Sequence, residues 1–271
     1  MAGHRWSSAD RNDSQVPRGW DWDLSELDDV DQDLAGQSVA AIKTTVGPLH
    51  DFYTRVENLT IPVTVLRCDF KKKNHMEYLF TIFHRLNTGG MKLNNQEIRN
   101  CIYGGTLNKL LKDLDLNPSW RRLNKMKSKQ NYRFAKQEII LRFFAFHDRS
   151  STYEGHLAKF LNDYMHDYKD AGQPFLETKR ELFNRTVECI STKVFDNEVP
   201  SKLGVTLLEA LLVGVSKNLD KLAAKSNEQV RSKLQELMAN DEFSDSALLE
   251  GLSKKPRVAA RLAAAIAIFG N

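Results

Sequence analysis

From His75 to the last residues of the chain, apolar side chains recur every three or four positions, and only short polar stretches separate one run from the next. That period puts side chains on one face of a helix, so it predicts a succession of amphipathic helices. Tyr78, Leu79, Ile82, Phe83 and Leu86 mark the first buried face, closed by Asn87-Thr88-Gly89-Gly90. Asn94 or Asn95 is placed to cap the next helix, which runs to about Tyr103 and stops at Gly104-Gly105. Further helices are expected over 107–116, 134–146, 157–164, 182–194, 206–215, 219–238, 247–252 and 258–269. Short connections set consecutive helices side by side and roughly antiparallel, so the expected fold is mainly α, a helical array.

The front reads differently. Ile61-Pro62-Val63-Thr64-Val65-Leu66-Arg67-Cys68 is short, β-branched and followed by a charged turn at 71–74, which predicts a strand. A strand cannot satisfy its own backbone groups, and the rest of the sequence offers few partners. The expected organisation is a disordered lead over 1–20, a front segment over 21–70 holding this strand and connecting helices, and a helical domain over 71–271. Within 21–70, residues 37–59 read as helical, broken at Gly47-Pro48.

Net charge is only +4, but it is unevenly placed. Residues 1–60 hold 5 Lys/Arg against 11 Asp/Glu, a net of −6; residues 71–142 hold 16 against 5, a net of +11. A basic middle attracts phosphates, although a solvated lysine face has the same composition. Cys68, Cys101 and Cys189 are far apart and form no CxxC pair, which argues against a disulfide framework or zinc site and places each as a small core hydrophobe in a reducing compartment. The first 36 residues carry no apolar leader-like run, and 258–269, interrupted by Arg261, is too short to span a bilayer. A cytoplasmic protein without a membrane partner is expected. No Walker-type loop, dinucleotide fingerprint or nucleophile-base motif is present, and no metal site is expected. Glu77, Glu97 and Glu138 have no spacing that fixes them as an acid–base pair, so each reads as a surface or arginine-pairing carboxylate.

Two stretches carry candidate chemistry. In the first, a helix ends at Asn87-Thr88-Gly89-Gly90 and another begins at Asn94 or Asn95. A glycine loop feeding a helix N-terminus exposes backbone N–H groups that can hold an anion; Arg85, Lys92 and Arg99 add charge, while Asn87 and Asn100 add neutral donors and acceptors. An ordinary glycine cap followed by an N-cap has the same local sequence. In the second, Arg121, Arg122, Lys125, Lys127, Lys129 and Arg133 form the densest basic run, flanked by Trp120 and Tyr132. Basic groups beside aromatics suit a phosphate backbone with some base stacking, and a solvated loop is the plain alternative.

The glycine stretch resembles the GmrSD-type restriction endonuclease N-terminal domain family, whose core is similar to the ParB and sulfiredoxin folds. Phe83, Arg85, Asn87, Thr88, Gly89, Gly90, Leu93, Glu97, Arg99 and Asn100 match the family's aromatic, Asn-Thr-Gly-Gly and Glu-hydrophobic-Arg-Asn pattern. The resemblance extends over about 22–218, taking in 61–66 as a last core strand and 133–146 as a later helix, and it implies that 21–70 is the remnant of a truncated ParB-like α/β core with its connecting helices. It implies a nucleotide pocket lined by Arg85, Asn87, Thr88, Gly89, Gly90, Glu97, Arg99 and Asn100, and a nucleoside triphosphate with a divalent metal ion in complete members. The family's Asp-Gly-Gln-Gln-Arg motif does not occur in these 271 residues, and no histidine follows His166 to suggest a nuclease centre. The expectation is therefore a catalytically incomplete member or fragment of a nucleotide-dependent DNA restriction and phage-defence family. Its partners would be DNA, a chain supplying the missing core strands, or a nuclease subunit. The alternatives are an interaction scaffold without nucleic-acid binding and a diverged nucleotide hydrolase.

Overall fold

The computed structural model describes Leu34 and residues 36–60, 62–86, 92–127, 132–200 and 203–271. The chain divides into two units, Met1–Leu66 and Arg67–Asn271. The described residues are mainly helical. The front unit holds α1 (Val39–Thr44) and α2 (Pro48–Glu57). Ser38 caps α1 by accepting from the Ala41 N–H, and Gly47, at φ 117°, turns the chain so that Pro48 can open α2.

No strand occurs among the described residues, which corrects the strand expected at 61–68. Ile61 lies outside the described residues; 62–68 is irregular. Pro62 offers no N–H to a ladder, and Val63 and Val65 stand 78% and 77% exposed, so no apolar face is buried that would fix a register.

The second unit contains α3 (Lys73–Leu86), α4 (Asn95–Ile102), α5 (Thr106–Asp115), α6 (Pro118–Leu123), α7 (Ala135–Arg149), α8 (Leu157–Tyr168) and α9 (Gln173–Cys189). It continues with α10 (Val205–Ser216), α11 (Leu219–Ala223), α12 (Asn227–Ala239) and α13 (Lys255–Gly270). α7 and α10 form the centre. Ile139, Ile140, Leu141, Phe143, Phe144 and Phe146 are buried on every side of α7, and Leu208, Leu211, Leu212, Val213 and Val215 on every side of α10. A helix apolar all round must be enclosed, and α5, α8, α9 and α13 enclose these two.

α13 comes very close to α10 at Gly214. A Cβ there would sit 2.8 Å from the Ala265 carbonyl oxygen and 2.9 Å from the Ala265 Cβ. Gly214→Val is expected to lower stability by about 1–3 kcal/mol, because the added carbons must push α13 away from its seat. Urea denaturation of the two proteins measures it, and an unchanged midpoint would show that the contact yields freely.

Several elements depart from the periodic reading. α3 forms, but with a different buried face: Tyr78, Phe83 and Leu86 are 59%, 40% and 77% exposed, while Met76 is buried. The expected helix over 219–238 is two, α11 and α12, separated at Ser226, which forms a reciprocal capping box with Gln229. Residues 247–252 form turns rather than a helix. α6 escapes the apolar periodicity, although Asn117-Pro118 is a cap followed by a proline at the first helical position. Cys101 is exposed rather than part of the core.

Candidate functional site

The first candidate region is organised by the start of α4. Asn94 Oδ1 accepts from the Gln96 and Glu97 N–H groups at 2.9 Å each, and Glu97 Oε2 accepts from the Asn94 N–H at 2.7 Å. This reciprocal box leaves the Glu97 carboxylate open to a second partner, and Arg133 takes it in a two-pronged grip: Nε to Oε1 at 2.8 Å and Nη2 to Oε2 at 2.6 Å. Arg133 Nη2 also donates to the Lys92 carbonyl at 2.5 Å, and Asn94 Nδ2 donates to the Arg133 carbonyl at 2.8 Å. The Arg133 hydrogen bond holds the Glu97 carboxyl below its ordinary pKa, and Glu97 raises that of Arg133 in return. The grip sits at a bend where Arg133 and Phe134 both adopt left-handed backbone, φ 46° and 60°, a conformation non-glycine residues keep only when their surroundings impose it.

One turn further along α4, Arg99 is 1% exposed. Its Nε donates to Asn162 Oδ1 at 2.8 Å, and its Nη1 to Gln96 Oε1 at 3.2 Å and Glu138 Oε2 at 2.9 Å. Glu138 Oε1 in turn accepts from Arg142 Nε at 3.1 Å and Nη2 at 2.8 Å. Burial pushes the Glu138 carboxyl up, but the two guanidiniums outweigh it and the net displacement is downward. Asn100 belongs to an adjoining amide chain. It accepts from Gln96 Nε2 at 3.0 Å and donates to Gln137 Oε1 at 3.1 Å, and Gln137 Nε2 donates to Asn108 Oδ1 at 3.1 Å.

The eight pocket candidates therefore separate. Asn87, Thr88, Gly89 and Gly90 lie outside the described residues. Arg85 is exposed in the last turn of α3. Glu97, Arg99 and Asn100 bond to other side chains of the fold and tie α4 to α7 and α8. Sequence reading pointed to Glu97, Arg99 and Asn100 but not to Gln96, Asn108, Gln137 or Asn162, which complete their bonding. The signal for these was available as polar residues falling on otherwise apolar helix faces.

The second candidate region follows α6. Trp120, expected to flank a nucleic-acid face, is wholly buried, edge-on to Phe183 with ring centres 5.6 Å apart, and its Nε1 donates to Asp115 Oδ1 at 3.1 Å. It has no face to offer a base. The basic residues are placed individually. Arg121 Nη2 donates to the Lys127 carbonyl at 3.5 Å, and Arg122 Nη2 to Ser191 Oγ at 2.9 Å and Asn197 Oδ1 at 3.2 Å. Arg122, Lys125 and Lys127 are exposed, with Lys125 in a left-handed turn at φ 52°. Tyr132 Oη accepts from the Lys127 N–H at 2.6 Å and donates to the Lys125 carbonyl at 3.3 Å, which ties the two ends of this turn together. Lys129 lies outside the described residues, and Arg133 is held by Glu97.

The nucleoside triphosphate and divalent ion implied by the family resemblance do not fit the described residues. The candidate groups Glu97, Arg99 and Asn100 are engaged with one another's neighbours, and no group of three or more His, Cys, Asp or Glu among the described residues is placed to hold a metal ion. No helix among them is long and apolar enough to cross a membrane. Comparison with protein-family models, curated proteins and solved structures gives no match to this chain.

Proposed function

We propose that this chain is a nucleic-acid-binding helical module of a nucleotide-dependent DNA restriction or phage-defence protein. In this reading it contributes no hydrolytic centre from the residues described and holds the phosphate backbone with the basic turn after α6. One observation carries the proposal. The buried Arg99 and the partly buried Arg133, Arg142 and Arg149 each meet a carboxylate in an ion pair, whereas Arg121 and Arg122 form none among the described residues and hydrogen-bond to neutral oxygens, with Asp115 acting on Arg121 only at longer range, which leaves charge to offer an external anion. With Lys127 beside them on a tied turn, they form a small fixed array that suits phosphates and reads no sequence.

Salt-titrated binding to a duplex, followed by fluorescence anisotropy, tests this reading. Affinity is expected to fall as salt rises, with a slope of about −0.9 per phosphate neutralised. Combined Arg121→Glu and Arg122→Glu is expected to weaken binding at least about tenfold and to flatten that slope. Absence of binding at low salt, or binding untouched by the charge reversal, removes the proposal.

A second reading, an interaction scaffold without nucleic-acid binding, is favoured by the outer face of α3. Tyr78 and Leu86, on one stripe of α3, are 59% and 77% exposed, and Phe83 of α3 and Phe70 just before it are also exposed. Its partner would be a nuclease subunit or a chain carrying the family's core. Light scattering after co-purification separates the two readings.

A further inference from the structure

A cavity of about 390 Å³ lies where α7, α8, α10 and α13 meet. Phe146, Leu157 and Val258 make part of its wall apolar, while Arg142, Glu209 and Arg261 make the rest charged. Arg261 is 2% exposed. Its Nη2 donates to the Leu252 carbonyl, but Nε and Nη1 have no hydrogen-bond partner among the described residues. Guanidinium nitrogens are obligate donors and cannot be discharged by losing a proton, so a buried pair left unmatched calls for an acceptor. Two carboxylates lie nearby, Glu209 and Glu242, and neither forms an ion pair or hydrogen bond with Arg261, although Glu242 Oε2 is itself buried without a hydrogen-bond partner. Glu209, 5% exposed, is turned to Arg142 instead, whose Nη1 lies 3.6 Å away.

The charges in this neighbourhood do not cancel. Arg99, Arg142 and Arg261 face Glu138 and Glu209, three positive groups against two negative. Adding Arg257 and Glu242, which approach each other at 3.9 Å near Arg261, leaves the excess at one. The wall is also held firm: Tyr153 Oη donates to the Ser253 carbonyl at 2.5 Å, fixing the turn that Arg261 grips at Leu252.

We propose that this cavity binds a small monocarboxylate with an apolar body. The carboxylate would accept from one of the two unmatched Arg261 nitrogens, Nε or Nη1, which face opposite sides of the guanidinium, and the body would rest on Phe146, Leu157 and Val258. The single excess charge selects a monoanion, since a second negative group would meet Glu209. The lining rewards a hydrocarbon body that a bare inorganic anion lacks.

Isothermal titration of the full chain with sodium hexanoate tests the site, with hexanol and sodium sulfate as parallel probes. Saturable one-to-one binding of hexanoate is expected, at least tenfold tighter than either hexanol or sulfate. Arg261→Met should raise the hexanoate Kd at least tenfold. Because that variant disturbs a buried residue, Val205→Trp serves beside it: Val205 lines the cavity but is 44% exposed, so the indole obstructs the space without entering the core. It should weaken hexanoate to a similar degree while leaving the circular dichroism spectrum and melting temperature unchanged. No saturable heat with the folded wild-type protein, hexanol binding as well as hexanoate, or a folded Val205→Trp variant that binds normally would each overturn the proposal.

Discussion

Glu138→Ala is expected to destabilise the protein by about 3–5 kcal/mol, a large share of the roughly 5–15 kcal/mol that holds a typical domain together. The carboxylate is shared. One oxygen accepts from Arg99 at 2.9 Å and the other from Arg142 at 2.8 and 3.1 Å. Removing it leaves Arg99, 1% exposed, with amide oxygens but no counter-charge, and leaves Arg142 with Glu209 at 3.6 Å. Stranding a buried guanidinium costs more than losing the pair, so the double variant Glu138→Ala with Arg99→Met should recover part of the loss. Guanidinium chloride denaturation of the two single variants and the double gives the coupling directly. A loss below about 1 kcal/mol for Glu138→Ala would mean that water reaches these groups, and the packed network described above would not hold. The experiment also bears on function. Any defect caused by Arg99→Ala must be corrected for the fraction of protein that is folded before it is assigned to ligand binding.

The same residues show what the sequence makes visible. Arg99 and Glu97 stand out as charged groups in a capped helix, whose cap the sequence leaves between Asn94 and Asn95 and the structure places at Asn94. Which residues they pair with does not follow from the sequence, because Arg133 lies 36 residues from Glu97 and Asn162 lies 63 from Arg99. Periodicity gives the helix but carries no information on such pairs. α7 and α10 were legible because they are apolar on all sides and have no alternative to enclosure. α3 was ambiguous for the opposite reason. Met76, Leu79 and Phe80 form one apolar stripe, which Phe83 continues at its exposed end, and Tyr78, Ile82 and Leu86 form another; both satisfy helical spacing, so only the neighbours decide which turns inward. The strand at 61–68 was inferred from β-branched composition, which describes a fit to a pleated, half-buried surface and has no force where that surface is missing. Arg261 is the most instructive case. In the sequence it is an interruption of an apolar helix, while in the fold it is a buried charge beside a cavity. A lone arginine inside such a run is itself a reason to look for what it faces.

The second large effect is expected at Asp148, where charge and stranding can be separated. Its Oδ1 accepts from Lys179 Nζ at 2.5 Å and faces His147 Nδ1 at 3.0 Å, and its Oδ2 accepts from Tyr164 Oη at 2.7 Å. The Lys179 side chain is 8% exposed, with its ammonium 5.9 Å from the Phe144 ring centre and 5.3 Å from that of Phe175. Burial pushes the Asp148 carboxyl up, but hydrogen bonds from His147, Lys179 and Tyr164 outweigh it and bring the pKa down to about 2. A carboxyl whose pKa is lower in the folded than in the unfolded chain stabilises the fold above the ordinary value near 3.8, and that contribution drains away as pH falls toward about 2. Discounted for solvent screening, it amounts to about 1–2 kcal/mol at neutral pH. Asp148→Asn resembles the protonated acid in shape and charge, so its deficit against wild type should be about that size at pH 7 and should shrink steadily between pH 4 and pH 2. Asp148→Ala also leaves the buried ammonium without an acceptor and should lose about 3–5 kcal/mol at neutral pH. Urea midpoints measured across this pH range check both statements. Because Glu97, Glu138 and Asp167 also have lowered pKa values and weaken wild type in acid, only the difference between wild type and Asp148→Asn isolates this group. A difference that stays constant from pH 7 to pH 2 would show that the ion pair contributes no net charge stabilisation, and that Asp148 acts in the fold only as a hydrogen-bond acceptor.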